Sequence, residues 1–133
     1  MNAPTVLRVG DVMRTEVHAV DGLATVSEAM ALMRRHQVSS LVVPRRDADD
    51  EFGLILVSDI ARRVIAENRA PERVNVYEVM SKPVLTLPSG MQARYAVRLL
   101  VRFGVSRAVV VGHDRNPVGI ATLRDLVLGH VQE

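Results

Sequence analysis

The chain repeats itself, and that limits its folds more than any other feature. Displaced by 67 residues, Val12-Met13 falls on Val79-Met80, Val17 on Val84, Ala29 on Ala96, Leu32 on Leu99 and Arg35 on Arg102. Val38-Ser39 falls on Val105-Ser106, and Val42-Val43 on Val109-Val110, which makes 10 identities between 12–43 and 79–110 without a gap. After a loop the register slips by one residue, and Gly53 then meets Gly119 while Asp59 meets Asp125. A unit of about 60 residues is marginal alone, so two copies are expected to bury their apolar faces against each other. The repeats are read as 9–68 and 76–130, with a connector at 69–75 that carries the Pro71 break.

Periodicity sketches the unit. Val26, Ala29, Met30 and Met33 fall on one helical face, as do Ala93, Ala96, Val97 and Leu100 in the second copy. Thr25-x-x-Glu28 is a capping box, and Gly104 is a C-cap. Leu41-Val42-Val43 and Ala108–Val111 are too short for helices and read as buried strands. Phe52–Val57 and Val118–Ala121 read as a second strand in each copy, and Ser58–Asn68 and Leu123–His130 as closing helices. Each copy opens with a helical turn (Val9–Met13, Val76–Met80) and a brief strand (Val17–Val20, Val84–Leu87). The predicted class is α/β (α+β): a tandem pair of βαββα repeats packed with pseudo-two-fold symmetry.

Composition removes several functions. The net charge is only +2, and aromatic residues are 3% with no Trp, so nucleic acid is not an expected partner. Every basic residue except Lys82 is Arg, which suits bidentate phosphate contacts. With no Cys there is no disulfide, thiolate metal site or Cys nucleophile. No apolar stretch approaches the roughly 20 residues of a membrane span, and 1–11 lacks the apolar core of a secretory signal. A soluble cytoplasmic protein with no membrane partner is expected. His18, His36, His113 and His130 show no metal-site spacing, and no metal is assigned. Asp47–Glu51 lacks the pattern of an EF-hand loop and reads as a solvated acidic loop. G-x-G-x-x-G, P-loop and G-x-S-x-G motifs are missing.

The Val-Met opening of each copy and a Gly-h-h-Thr-x-x-Asp ending, where h is apolar, resemble the CBS domain, named after cystathionine β-synthase. The ending is intact in Gly119-Ile120-Ala121-Thr122-Leu123-Arg124-Asp125. The two copies over 9–130 resemble a CBS pair, or Bateman module. The resemblance implies regulatory binding of an adenosine-containing ligand: AMP, ADP, ATP or S-adenosylmethionine, with no cofactor required. It assigns the ribose hydroxyls to Thr122 and Asp125, the phosphates to Arg107 beside Ser106, and the adenine pocket to the segment around Val84. Each has a plain structural alternative. Thr122-x-x-Asp125 also fits a helix cap, Arg107 a surface position, and Val84 core packing.

Copy one departs from the pattern. Gly53-Leu54-Ile55-Leu56-Val57-Ser58-Asp59 keeps Gly and Asp but has Leu56 in place of Thr. Ser58 is then the expected N-cap, with Asp59 either a ligand residue or a first-turn acid. One dominant site, on the second repeat, is expected. The predicted function is an energy or metabolite sensor that is not an enzyme, forms a homodimer and reports to a protein partner. A ligand-free CBS pair for dimerisation or partner docking is the alternative. Leu32, Met33, Ile65, Leu99, Leu100 and Leu126 are the candidate dimer contacts, unless they form intramolecular core.

Overall fold

In the computed structural model, which describes residues 6–131, helices and short strands alternate as the repeat requires. The order is α1 (Val9–Val12), α2 (Val26–His36), β1 (Ser40–Val43), β2 (Gly53–Leu56) and α3 (Val57–Ile60), which runs into a π-helical turn, Ala61–Ile65. Tight 3-10 turns at Pro71–Arg73 and Val76–Glu78 follow, then β3 (Thr86–Pro88), α4 (Ala93–Phe103), β4 (Arg107–Val111), β5 (Pro117–Thr122) and α5 (Leu123–Leu128).

Local chemistry sets the long helices. The Thr25 hydroxyl accepts from Glu28 N–H at 3.1 Å, and the Glu28 carboxylate accepts from Thr25 N–H at 3.1 Å. Two orphan donors of α2 are thereby satisfied. Gly104 ends α4 in the left-handed region, at φ 66°. The equivalent position after α2 is Gln37, at φ 55°, where a side chain bears the strain that glycine avoids.

The described residues divide into two compact bodies: 18–84, and 6–17 together with 85–131. These limits differ from those of the sequence repeats, because the opening turn of each repeat is built into the body of the other. In the body of 18–84, Val76 N–H donates to Ala24 C=O and Tyr77 N–H to Gly22 C=O, at 2.8 and 2.9 Å. In the other, Val9 N–H donates to Met91 C=O and Gly10 N–H to Ser89 C=O, at 2.8 and 2.9 Å. Each opening segment then pairs with a strand. Ser81 exchanges both backbone bonds with Leu54, and Arg14 exchanges both with Ile120.

The first body has an antiparallel pair, β1 with β2. The strand expected at Val17–Val20 is reduced to a parallel bridge, Ala19 with Val42. The turn at Asp21, whose carboxylate accepts from Leu23 N–H at 2.8 Å, leaves the run no length. The second body holds a full three-stranded sheet, β3-β4-β5, with β3 parallel and β5 antiparallel to β4. The core of the first body gathers Val26, Ala29, Met33, Leu41, Ile55 and Val64. That of the second gathers Val9, Leu87, Ala96, Leu100, Val110 and Leu126.

Two expectations need correction. Met33, Leu100 and Leu126 are 4%, 0% and 0% exposed. They belong to the cores of their own bodies and are not available to a second molecule. Leu32 and Leu99 are half-buried against the same cores, while Ile65 stays exposed. The acidic loop is also not wholly solvated. Asp50 accepts from Lys82 Nζ at 2.6 Å and from Arg46 Nε at 3.2 Å, while Asp47 and Asp49 are exposed.

Candidate ligand site

The second body brings four candidate residues together. Arg107 and Thr122 face each other across the antiparallel β4–β5 ladder. Ser106 precedes Arg107, and its carbonyl accepts from Leu123 N–H at 2.8 Å, which ties the start of β4 to the start of α5. Thr122 is the N-cap of α5, its hydroxyl accepting from Asp125 N–H at 3.0 Å. The capping alternative therefore holds for Thr122. It fixes where Asp125 stands, one helical turn beyond the end of β5.

The Asp125 carboxylate also reaches beyond its own helix. Its Oδ2 accepts from Arg14 Nε at 2.9 Å, with the Arg14 side chain 64% exposed and that of Asp125 19%. Arg14 reaches this place because the opening segment of the first repeat bonds to Ile120 of β5. Reading each repeat as a closed unit passes over Arg14. The signal for it was its place directly after Val12-Met13, the segment that crosses to the other repeat.

The electrostatics bind this group together. Partial burial acts to raise the Asp125 pKa, but hydrogen bonds from Thr122 and Arg14, with the Arg14 charge, outweigh it and hold the carboxyl below its ordinary value. Arg107 is half-buried. Burial, and then the positive charge of Arg14, lower its pKa, while Asp125 opposes the shift. Arg14 is paired with the carboxylate while Arg107 feels both charges, and a second anion beside the two guanidinium groups would relieve their mutual repulsion.

Asp59 and Val84 belong to the body of 18–84. Val84 is half-buried and stands just before β3. Asp59 is 5% exposed. Its carboxylate accepts from Leu56 N–H at 3.0 Å and from Arg62 Nη2 at 3.2 Å. It is a first-turn acid of α3, spent on its own helix. The expected N-cap, Ser58, is corrected: the cap position is Leu56, which has no side-chain oxygen, and Ser58 lies inside the first turn. Asp59 thus accepts from the backbone N–H of its cap residue, whereas Asp125 is bonded by Thr122 and Arg14.

Comparison with known proteins agrees with this architecture. A family model described as the CBS domain matches residues 9–66 and 76–129. The uncharacterized protein MK0525 of Methanopyrus kandleri is 30% identical over 119 residues, 90% of this chain and 60% of that protein. The chain spans between 31% and 60% of the length of the leading curated relatives. The hexameric CBS-CP12 protein from bloom-forming cyanobacteria is similar in structure, with TM-score 0.90 and 29% identity over 96% of this chain and 74% of that one. The CBS domain of the bacterial CNNM/CorC family Mg2+ transporter in complex with ATP superposes with TM-score 0.74 and 26% identity, over 92% and 85% of the two chains. Among the described residues, no helix is long and apolar enough to cross a membrane. The duplicated sequence, the two mixed bodies and the family match together assign this chain to the CBS domain family, with two copies of the domain.

Proposed function

We propose that this CBS pair is a regulatory module that binds an adenosine ligand bearing phosphate, with its principal site on the second repeat. The observation that carries the reading is the meeting of Arg14, Arg107, Thr122 and Asp125 at one end of β4 and β5. A carboxylate can accept from both vicinal ribose hydroxyls, and two guanidinium groups suit a phosphate better than a neutral or cationic tail. The ATP complex of the transporter CBS domain supports this ligand class. Fold alone does not assign a function, so the weight rests on the residues.

The module carries out no chemistry of its own. It reports occupancy to a protein partner by shifting an equilibrium between arrangements that bind the ligand unequally. In the body of 18–84 the ligand-free alternative is favoured, because Asp59 is already committed to Leu56 and Arg62. That body instead has an apolar groove of about 630 Å³ lined by Met30, Val38, Val57, Ile60 and Ile65. We place self-association there, in a cytoplasmic homodimer.

Calorimetry with ATP, ADP, AMP, S-adenosylmethionine and adenosine tests the reading. One site per chain, tighter for the phosphorylated ligands than for adenosine, is expected. Binding at 100 Kd would raise apparent stability by about 2.7 kcal/mol. No binding of any of the five overturns the proposal.

A further inference from the structure

Wholly within the body of 18–84 lies a cavity of about 860 Å³, inside the range of roughly 300–1,000 Å³ typical of small-molecule sites. Val20 and Val43, 6% and 3% exposed, form its apolar side with Met80. Its charged lining is uneven: Arg45, Arg46 and Lys82 stand against one acid, Asp21. Tyr77 also lines it and is exposed; its backbone N–H donates to Gly22 C=O at 2.9 Å, which seats it on the cavity wall. Local contacts hold the cations without cancelling them. Asp50 accepts from Lys82 Nζ at 2.6 Å and from Arg46 Nε at 3.2 Å, so one carboxylate anchors two positive groups. The Arg45 guanidinium lies over the Phe52 ring, 5.1 Å from its centroid, a contact that orients the charge and does not neutralise it. Three cations against the carboxylates of Asp21 and Asp50 leave one positive charge over.

We propose that this cavity is a second ligand site, for a small organic phosphate monoester with a flat apolar group. Three cationic side chains supply more N–H donors than the two oxygens of a carboxylate can use, and the three terminal oxygens of a phosphate match them better. The flat group lies against Tyr77, Val20 and Met80, which offer aromatic and apolar surface on the same cavity. Arg45 and Arg46 come from the loop after β1, and Lys82 from the segment before β3, so the fold gathers charges that the sequence keeps apart. This inference does not depend on the adenosine reading, since it uses none of the residues in that site.

Titration of the isotope-labelled full chain with phenyl phosphate, followed by amide NMR, tests it. Saturable shifts are expected at residues 19–23, 45–46, 77 and 82. Arg45→Gln and Lys82→Gln should each weaken binding roughly ten- to a hundredfold, the loss of one charge-assisted contact. Tyr77→Ala should weaken phenyl phosphate and leave inorganic phosphate unchanged, which reads the apolar and anionic parts separately. Lys82 also holds Asp50, so Arg45→Gln decides the matter if the Lys82 variant loses its dispersed amide spectrum. The proposal is overturned if phenyl phosphate causes no shifts in this body, if the shifts fall only around Arg14, Arg107 and Asp125, or if Arg45→Gln binds as wild type does. It is also overturned if benzoate or benzamide binds as tightly as phenyl phosphate, or if inorganic phosphate does, which would leave the flat group no part in recognition.

Discussion

The Met13 sulfur occupies the place where a side chain at Gly119 would begin: a Cβ there would lie 2.6 Å from Sδ and 2.8 Å from the Arg14 carbonyl oxygen. The Val-Met opening of one repeat and the Gly of the other repeat's ending are thus two halves of one contact. The same close approach recurs in the first body, where a Cβ on Gly53 would lie 2.8 Å from Met80 Sδ, with the Ser81 carbonyl oxygen farther off at 3.4 Å.

Gly119→Ala should therefore destabilise more than Gly53→Ala. The methyl at 119 meets backbone that is hydrogen-bonded to Ile120, and overpacking of this kind costs about 1–3 kcal/mol. At 53 the flexible Met80 can swing away, and the roughly 0.5–1 kcal/mol by which Ala is preferred to Gly within a strand offsets part of the cost. Denaturant melts of the two variants check this. Equal destabilisation would show that the Arg14 carbonyl is not the obstacle.

Asp125→Ala and Asp59→Ala should separate binding from stability. Loss of Asp125 should remove a charge-assisted ligand contact worth about 1.5–3 kcal/mol, roughly ten- to a hundredfold in affinity. Loss of Asp59 should instead lower the melting temperature, because it leaves Leu56 N–H without its acceptor. Calorimetry and melting curves on both variants read the two effects. Equal affinity losses would refute the asymmetry.

Arg14→Ala and Arg107→Ala should each weaken ATP binding more than adenosine binding. Both act through phosphate charge, so the difference should shrink as salt is raised. A variant that weakens the two ligands equally places its arginine away from the phosphates.

Stability should fall on the acid side. Asp50 is held below the ordinary carboxylate range chiefly by Lys82, and Asp125 is also depressed, though its partial burial opposes the shift. A carboxylate depressed in the folded state stabilises it above the unfolded pKa, about 3.9, and loses that contribution as pH falls towards the folded value. Asp50→Asn should flatten the loss of melting temperature below about pH 4, while leaving the neutral-pH fold intact. An unchanged acid limb would rule out the Lys82 pair as a contributor.

Ile65→Glu and Val57→Glu should shift a dimer towards monomer. Both side chains are about half exposed, at 53% and 49%, on the groove of the first body. Light scattering at micromolar concentration reads the mass. A monomeric wild-type chain, or a dimer unaffected by both charges, would remove the groove from consideration.

By itself, the sequence was enough to identify the duplication and most of the element types. Local chemistry acts over a few positions, and Thr25-x-x-Glu28, Gly104 and the Val-rich runs act locally. It also located the difference between the halves, since Leu56 in place of Thr is visible in one dimension. What Asp59 does was decided in three, by which donors its carboxylate could reach, Leu56 N–H and Arg62.

Only the tertiary structure decided the long-range pairings. The Val12-Met13 pair before Arg14 marks a repeat opening but does not name Asp125 as its partner; the backbone exchange with Ile120 brings Arg14 there. The same holds within the first body for His18 and His36, whose rings stack 3.6 Å apart although they lie on different segments. Periodicity could not show that Met33, Leu100 and Leu126 are wholly enclosed, because a helical stripe faces an apolar surface whether that surface is the chain's own core or another molecule. Burial depends on the elements packed opposite, and in a duplicated chain those come in part from the other copy.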